Sequence, residues 1–252
     1  SSAAGKRMLQ LITQFLERGY EVTFVSAAQK SEKAVDLISM GVHESFIELN
    51  NISFDHFIKK LQPQIVLFDR FIMEEQFGWR VAEYCPKAIR ILDTEDLHCL
   101  RKTREICLKN NIDFSQEELL KQDISKREIA AILRCDLSLI ISVFEIEILK
   151  KIFKIEESIL MYLPFLFDEI DIHQQQKWKY FEKREHFIFI GNFMHKPNVA
   201  AVLSLKNEIW SKIRKGLPKA EIHVYGAYTN QQIEQLHNEK EGFLIHGFVA
   251  DA

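Results

Sequence analysis

The sequence predicts an α/β protein built from two Rossmann-like parallel-sheet domains in series, the second incomplete. Three observations carry that expectation. Short apolar runs closing on a polar residue or a glycine recur in two sets: Val22–Ser26, Ile65–Asp69, Ile89–Asp93 and Leu137–Ser142, then Phe187–Gly191, Ile222–Gly226 and Phe243–Gly247. Runs without polar alternation suit strands buried on both faces, as in a parallel sheet. Amphipathic stretches lie between them, as parallel crossovers require. A charged tract, Phe165 to His186, separates the two sets. The expected organisation is therefore a first domain over residues 1–164 that lacks its opening strand, a linker over 165–186 and the start of a second domain over 187–252. In open parallel sheets ligands gather at the carboxyl ends of the strands, so the residues closing these runs are where a site is expected.

The elements follow in order. Met8, Leu11, Ile12, Phe15 and Leu16 recur at helical spacing from Lys6 to about Arg18, and Gly19 closes that helix. Ser31 to Met40 reads as a short helix stopped by Gly41, Ser45 to Leu49 as a strand, and Phe54 to Leu61 as a helix ending before Pro63. A helix across Glu74 to Tyr84 follows the strand ending at Asp69, and Pro86 leads into the strand ending at Asp93. Leu97 to Arg134 reads as two helices joined at Asn110-Asn111, with Ser115 and Glu118 spaced as a capping box for the second. It is expected either to cap the site side of the sheet or to form a solvated insertion. A helix from Glu145 to Phe153 and a strand from Ile159 to Leu163, ended by Pro164, complete the first unit. The second unit reads strand, helix from Pro197 to about Lys215, strand, helix from Asn230 to Glu239, strand. The chain opens on small residues and a helix rather than a strand, and stops soon after a third strand. A fragment of a longer protein is the expectation.

Composition narrows the function classes. The 33 basic and 36 acidic residues leave a net charge of -3 with no long single-sign block, which argues against nucleic acid as a partner. Cys85, Cys99, Cys107 and Cys135 fit neither a zinc spacing nor a dense disulfide framework, so reduced thiols in a cytoplasmic protein are expected. No apolar run approaches the ~20 residues needed to span a bilayer, which leaves peripheral membrane contact open.

Two segments concentrate chemistry. Asp93-Thr94-Glu95-Asp96-Leu97-His98 places three carboxylates and an imidazole at the end of a buried strand, where crowding can raise a carboxyl pKa and hold an acid or base. Thr94 or Asp96 capping a helix from Leu97 explains the same residues equally well. Gly191-Asn192-Phe193-Met194-His195-Lys196-Pro197-Asn198 follows a strand and opens a helix with proline in its first position. Unpaired amides and the helix dipole make such a start an anion site, and Lys196 could neutralise a phosphate there; a solvent-facing lysine beside an ordinary cap is the other reading. Asp69-Arg70 with Glu74-Glu75 could line the same crevice, although a local ion pair accounts for them more simply. His173, His186, His223, His237 and His246 have no metal-ligand spacing, and no metal is expected. A Walker loop, a Gly-x-Ser-x-Gly elbow and a His-Glu-x-x-His helix are all missing from the sequence.

Taken together, Ser2–Met8, Phe68-Asp69-Arg70-Phe71, Arg90–Asp96, Tyr162-Leu163-Pro164-Phe165, Phe189–Asn198 and Gly247–Asp251 resemble bacterial-type glycosyltransferases of family 4. The resemblance implies a GT-B fold, two Rossmann-like domains facing a cleft. It further implies retaining transfer from a nucleotide-diphosphate sugar to a carbohydrate or other hydroxyl acceptor, with no cofactor or bound metal. Gly5 would lie in a glycine-bearing loop beside the acceptor and the donor phosphates. Gly191 and Lys196 match a Gly-Arg-x-x-x-Lys arrangement that holds the diphosphate, with Asn192 in place of the arginine. Glu95 takes the place of a family histidine, with Asp96 beside it and His98 one helical turn on. The family's Glu-x7-Glu segment would lie past Ala252, so the fragment itself is expected to be inactive and its full-length form a glycosyltransferase. The alternative is a non-catalytic GT-B-like binding or assembly subunit. A Rossmann protein binding a small molecule without phosphate is a third. Donor sugar, acceptor and oligomeric state are not legible in the sequence.

Overall fold

A computed structural model describes residues 3–29, 34–167 and 169–249. The chain divides into two compact units, the first ending at Phe167. The first unit runs α1 (Ala3–Glu17), β1 (Thr23–Ser26), β2 (His43–Phe46), α2 (Ser53–Leu61), β3 (Ile65–Asp69), α3 (Arg70–Tyr84) and β4 (Ile89–Asp93). It continues with α4 (His98–Asn110), α5 (Gln116–Lys121), α6 (Asp123–Arg134), β5 (Leu137–Ile140), α7 (Val143–Lys151) and β6 (Leu160–Tyr162). The second unit holds α8 (Ile172–Gln175), β7 (Phe187–Ile190), α9 (Lys196–Ser204), α10 (Ser211–Gly216), β8 (Ile222–Tyr225), α11 (Gln231–Glu234) and β9 (Phe243–Gly247).

Every strand pair is parallel, as the unalternated apolar runs require. The first unit's strands form two sheets, β1-β2 and β3-β4-β5-β6, so β1 and β3 each keep one unpaired edge among the described residues. The core lies under β3, β4 and β5, where Phe68, Leu92 and Ile140 meet Phe77 and Val81 of α3 and Ile132 of α6. A smaller cluster of Ile12, Leu37 and Val42 fastens α1 to the β1-β2 pair.

Leu97 to Arg134 corrects both sequence expectations. It folds as three helices rather than two, and it serves neither as a cap nor as a solvated insertion. Asn111, left-handed at φ 54°, ends α4, and Ser115 accepts the Glu118 amide to start α5. Buried Cys99, Leu100, Leu119, Ala131 and Ile132 place these helices in the main core as the crossover between parallel β4 and β5. The four cysteines are free and buried.

In the second unit a single helical run spans Lys196 to Gly216, with a π-helical stretch at Leu205–Trp210 between α9 and α10. Val202, Trp210 and Ile233 pack with Ile222, Val224 and Phe243 on one face of β7-β8-β9. Ile188 and Ile190 on the other face are exposed. The helix expected over Asn230 to Glu239 shortens to one turn, capped by the Asn230 side chain on the Ile233 amide. Ser31–Lys33 of the short expected helix lie outside the described residues, and its end is a 3-10 turn, Ile38–Met40, stopped by left-handed Gly41.

One ion pair fixes α1 to the main sheet. Arg7 and Asp93 are 2% and 1% exposed. Arg7 Nε and Nη2 both donate to Asp93 Oδ1, at 3.0 and 2.9 Å. Nη1 donates to the carbonyls of Leu163 and Pro164 at 2.9 and 3.2 Å, and the guanidinium lies 5.9 Å from the Phe165 ring centre. A buried charge is tolerable only while its partner remains. Arg7→Met and Asp93→Leu should each cost about 3–5 kcal/mol of unfolding free energy, and the double variant should recover most of that. Urea unfolding of the three variants checks it.

Candidate functional site

The carboxyl ends of β3 and β4 converge. Asp69 and Asp93 occupy the last rung of their parallel register. The two chains leave it through left-handed residues, Arg70 at φ 69° and Glu95 at φ 58°. Non-glycine residues avoid that region, so the surrounding packing holds both in place. A concavity of about 220 Å³ adjoins them, lined by Ala3, Ala4, Arg7, Glu95, Asp96, Ile141 and Phe165.

Around it carboxylates outnumber close cations. Arg7 is committed to Asp93 and Arg70 Nη2 pairs with Asp69 at 2.9 Å. Arg101 Nε pairs with Asp96 at 2.7 Å. Among the described residues Glu95 pairs only with Arg70 Nε, at 3.8 Å. Burial, reinforced by Asp69, Asp93 and Asp96 and opposed by Arg70, pushes the Glu95 carboxyl up to about 7. Burial likewise raises Asp93 despite Arg7 and holds the His98 imidazole below its ordinary value despite Asp96. His98 Nε2 lies 3.4 Å from Asp96 Oδ1, and the ring meets Phe71 edge-on at 5.7 Å.

Of the expected acid/base group, the structure places Glu95 and Asp96 in the concavity wall and leaves His98 out of it. The capping alternative is corrected as well. Thr94 Oγ1 donates to the Leu139 carbonyl at 3.0 Å, and α4 is capped by glutamates from other helices. Glu145 accepts the Leu97 amide at 3.0 Å. Glu128 accepts those of His98 and Cys99 at 3.0 and 2.7 Å. Carboxylates from the same chain therefore fill the anion-attracting end of α4. Burial lifts Glu128 to about 7. Spacing did not announce either glutamate, because each reaches α4 only through helix packing. Glu74 and Glu75 turn from the crevice to Arg134 and Arg127.

Gly5 lies in the first turn of α1, not in a loop. In the second unit the Gly191 amide donates to Tyr225 O at 3.0 Å. A Cβ on Gly226 would sit 1.8 Å from Gly191 O, so that approach admits only glycine. The exposed Asn192 side chain folds back on its own loop, accepting the Met194 amide at 2.9 Å, and Asn198 Nδ2 donates to the Asn192 carbonyl at 2.9 Å. Helix α9 starts at Lys196 with Pro197 next. The amides of Asn198 and Val199 both close on His195 O, at 3.0 and 3.4 Å. This helix start thus offers its dipole and the exposed Lys196 ammonium rather than a fan of free amides.

The raised carboxyls link stability to pH. The folded chain keeps protons on Glu95 and Glu128 up to about 7, whereas an unfolded glutamate releases its own near 4.5. The folded state therefore binds more protons over that window, and stability falls as pH rises through it. Denaturant unfolding between pH 4.5 and 7.5 should show this slope, and Glu95→Gln should make it shallower.

No family model matches the chain, and no curated protein does. Among solved structures it is similar to the apo form of the lipopolysaccharide outer core galactosyltransferase WaaB, with a TM-score of 0.55 at 13% identity. That match covers 99% of this chain and 65% of the other. Together with the parallel sheets, the likeness shows a GT-B-like α/β fold of Rossmann-like units. Among the described residues no helix is long and apolar enough to cross a membrane.

Proposed function

We propose that the protein is a glycosyltransferase, or the larger part of one, moving a sugar with retention from a nucleotide-diphosphate donor to a hydroxyl acceptor. The observation that carries this reading is Glu95: a carboxyl near pKa 7, held in a left-handed conformation in the wall of a concavity at the strand ends. A base of that pKa is half ionised at neutral pH and can take the acceptor's proton as the hydroxyl attacks from the face the diphosphate leaves, the direction that retention requires in a single step. Asp96, fixed by Arg101, would orient the acceptor, and His98 would hold Asp96 from behind.

Residues 187–252 are proposed as the opening of the donor-binding domain. There Lys196, with Gly191 and Asn192 shaping the turn, would offset charge developing on the leaving diphosphate. Gly5, in the first turn of α1, is proposed to border the phosphates. The chain spans 65% of the galactosyltransferase it matches, so activity is a property to test in the full-length protein.

One observation favours a non-catalytic binding or assembly subunit instead. Asn192 replaces a cation expected on the diphosphate and spends its side chain on its own loop.

Turnover of a panel of uridine and guanosine diphosphate sugars separates the two readings. An enzyme should show kcat/KM rising with pH through an apparent pKa near 7. Glu95→Gln should lower kcat by about 10²–10⁴-fold and abolish that limb. Lys196→Ala should raise donor KM and lower kcat by on the order of 10²-fold. Absence of turnover with every donor supports the subunit.

A further inference from the structure

We propose that His186, Glu221 and His223 form a binding site for a divalent transition metal ion of the zinc class, at the entry edge of the β7-β8-β9 sheet. Their ligand atoms all lie within 4.8 Å of one another. The parallel register assembles them. Phe187 stands opposite Ile222 and Ile188 opposite His223, so His186 and Glu221 face each other one rung before the strands begin. Phe187 N donating to Glu221 O at 2.8 Å locks that rung.

The spacings suit a small ion. Tetrahedral zinc with nitrogen and oxygen ligands at about 2.0–2.1 Å sets its ligand atoms about 3.4 Å apart. His223 Nε2 and Glu221 Oε2 are already 3.3 Å apart. His186 Nε2 lies 3.9 Å from the same oxygen, a gap that a small side-chain rotation closes. Two imidazoles and one carboxylate are borderline donors, which favour zinc, cobalt, nickel or copper over magnesium or calcium.

The second ring nitrogen of His223 is held by a neighbour. His223 Nδ1 and His246 Nε2 are 2.9 Å apart. With His223 donating from Nδ1, its Nε2 lone pair faces Glu221, the way a partner orients a ligating imidazole. The His246 ring lies side by side with that of His223, centroids 5.1 Å apart and planes within 6°, and stacks on that of Tyr225 at 4.7 Å and 15°. His186 is the adjustable ligand. Its Nδ1 accepts the Glu221 amide at 3.3 Å, a long bond that a turn of the ring gives up when Nε2 takes the ion. One coordination position would remain for water or an added ligand. Glu221 and His223 are half-buried and His186 is exposed, so an ion reaches the site without opening the core.

Zinc chloride titrated calorimetrically into the chelator-stripped chain should bind one equivalent. Cobalt in its place should give visible absorption bands. His186→Ala, His223→Ala and Glu221→Gln should each weaken binding by tenfold or more, and His173→Ala should leave it unchanged. Glu221→Gln keeps the side-chain shape, so it decides the question if a histidine variant loses its circular dichroism. Absence of saturable one-to-one binding overturns the proposal, as does affinity unchanged in the folded Glu221→Gln variant.

Discussion

The Arg7–Asp93 pair is the constraint on which the first unit depends. It joins the first turns of α1, the carboxyl end of β4 and the chain leaving β6, three places distant in sequence. Among the described residues, Arg7 gives its hydrogen bonds to Asp93 and to the Leu163 and Pro164 carbonyls, which ties its charge into the fold. An arginine at the wall of a site is ordinarily read as an anion receptor. Here the guanidinium is engaged by Asp93 and two backbone carbonyls, and its effect on the site is indirect: it favours the charged form of Asp93 against burial, and Asp93 in turn disfavours a charge on Glu95.

That chain of influence explains the character of the strand-end cluster. Arg7, Arg70 and Arg101 each have a carboxylate at hydrogen-bond distance, namely Asp93, Asp69 and Asp96. Glu95 is left with the weakest partner and three acidic neighbours. The left-handed backbone at Arg70 and Glu95 holds these groups where relaxation would otherwise separate them. The helix end beside them is closed by Glu128 and Glu145, so its amides are already taken by carboxylates of this chain. In the proposed reading the diphosphate falls to the second unit.

The second unit divides its sheet by face. Helices cover Phe189, Ile222, Val224 and Phe243 on one side. The other side carries Ile188, Ile190, His223, Tyr225 and His246 at period-two positions, because successive side chains of a strand point oppositely. An apolar run reads the same whether one or both faces are covered, which is why the sequence implied burial for a face that is open. The same open face leaves three histidine rings accessible.

The sequence by itself determined the direction of the strands and the place of most of them, β2 excepted, which runs His43–Phe46 where Ser45–Leu49 was expected. Ile65–Asp69, Ile89–Asp93 and Phe243–Gly247 occur at the residues read from the pattern, since unalternated apolar runs joined by amphipathic stretches leave parallel pairing as the way to bury them. It also placed Glu95 and Asp96 at a strand end and Lys196 at a helix start. Tertiary structure alone decided the rest. Arg7 finds Asp93 across 86 positions, Glu128 reaches His98 across 30, and His186 meets Glu221 only because two strands share a register. Pairings of that range come from packing, and a local window of residues holds no record of them. Sequence spacing therefore dismissed the histidines that the sheet brings together, and one of its two readings of Thr94 and Asp96 made a helix cap of residues whose hydrogen bonds go elsewhere.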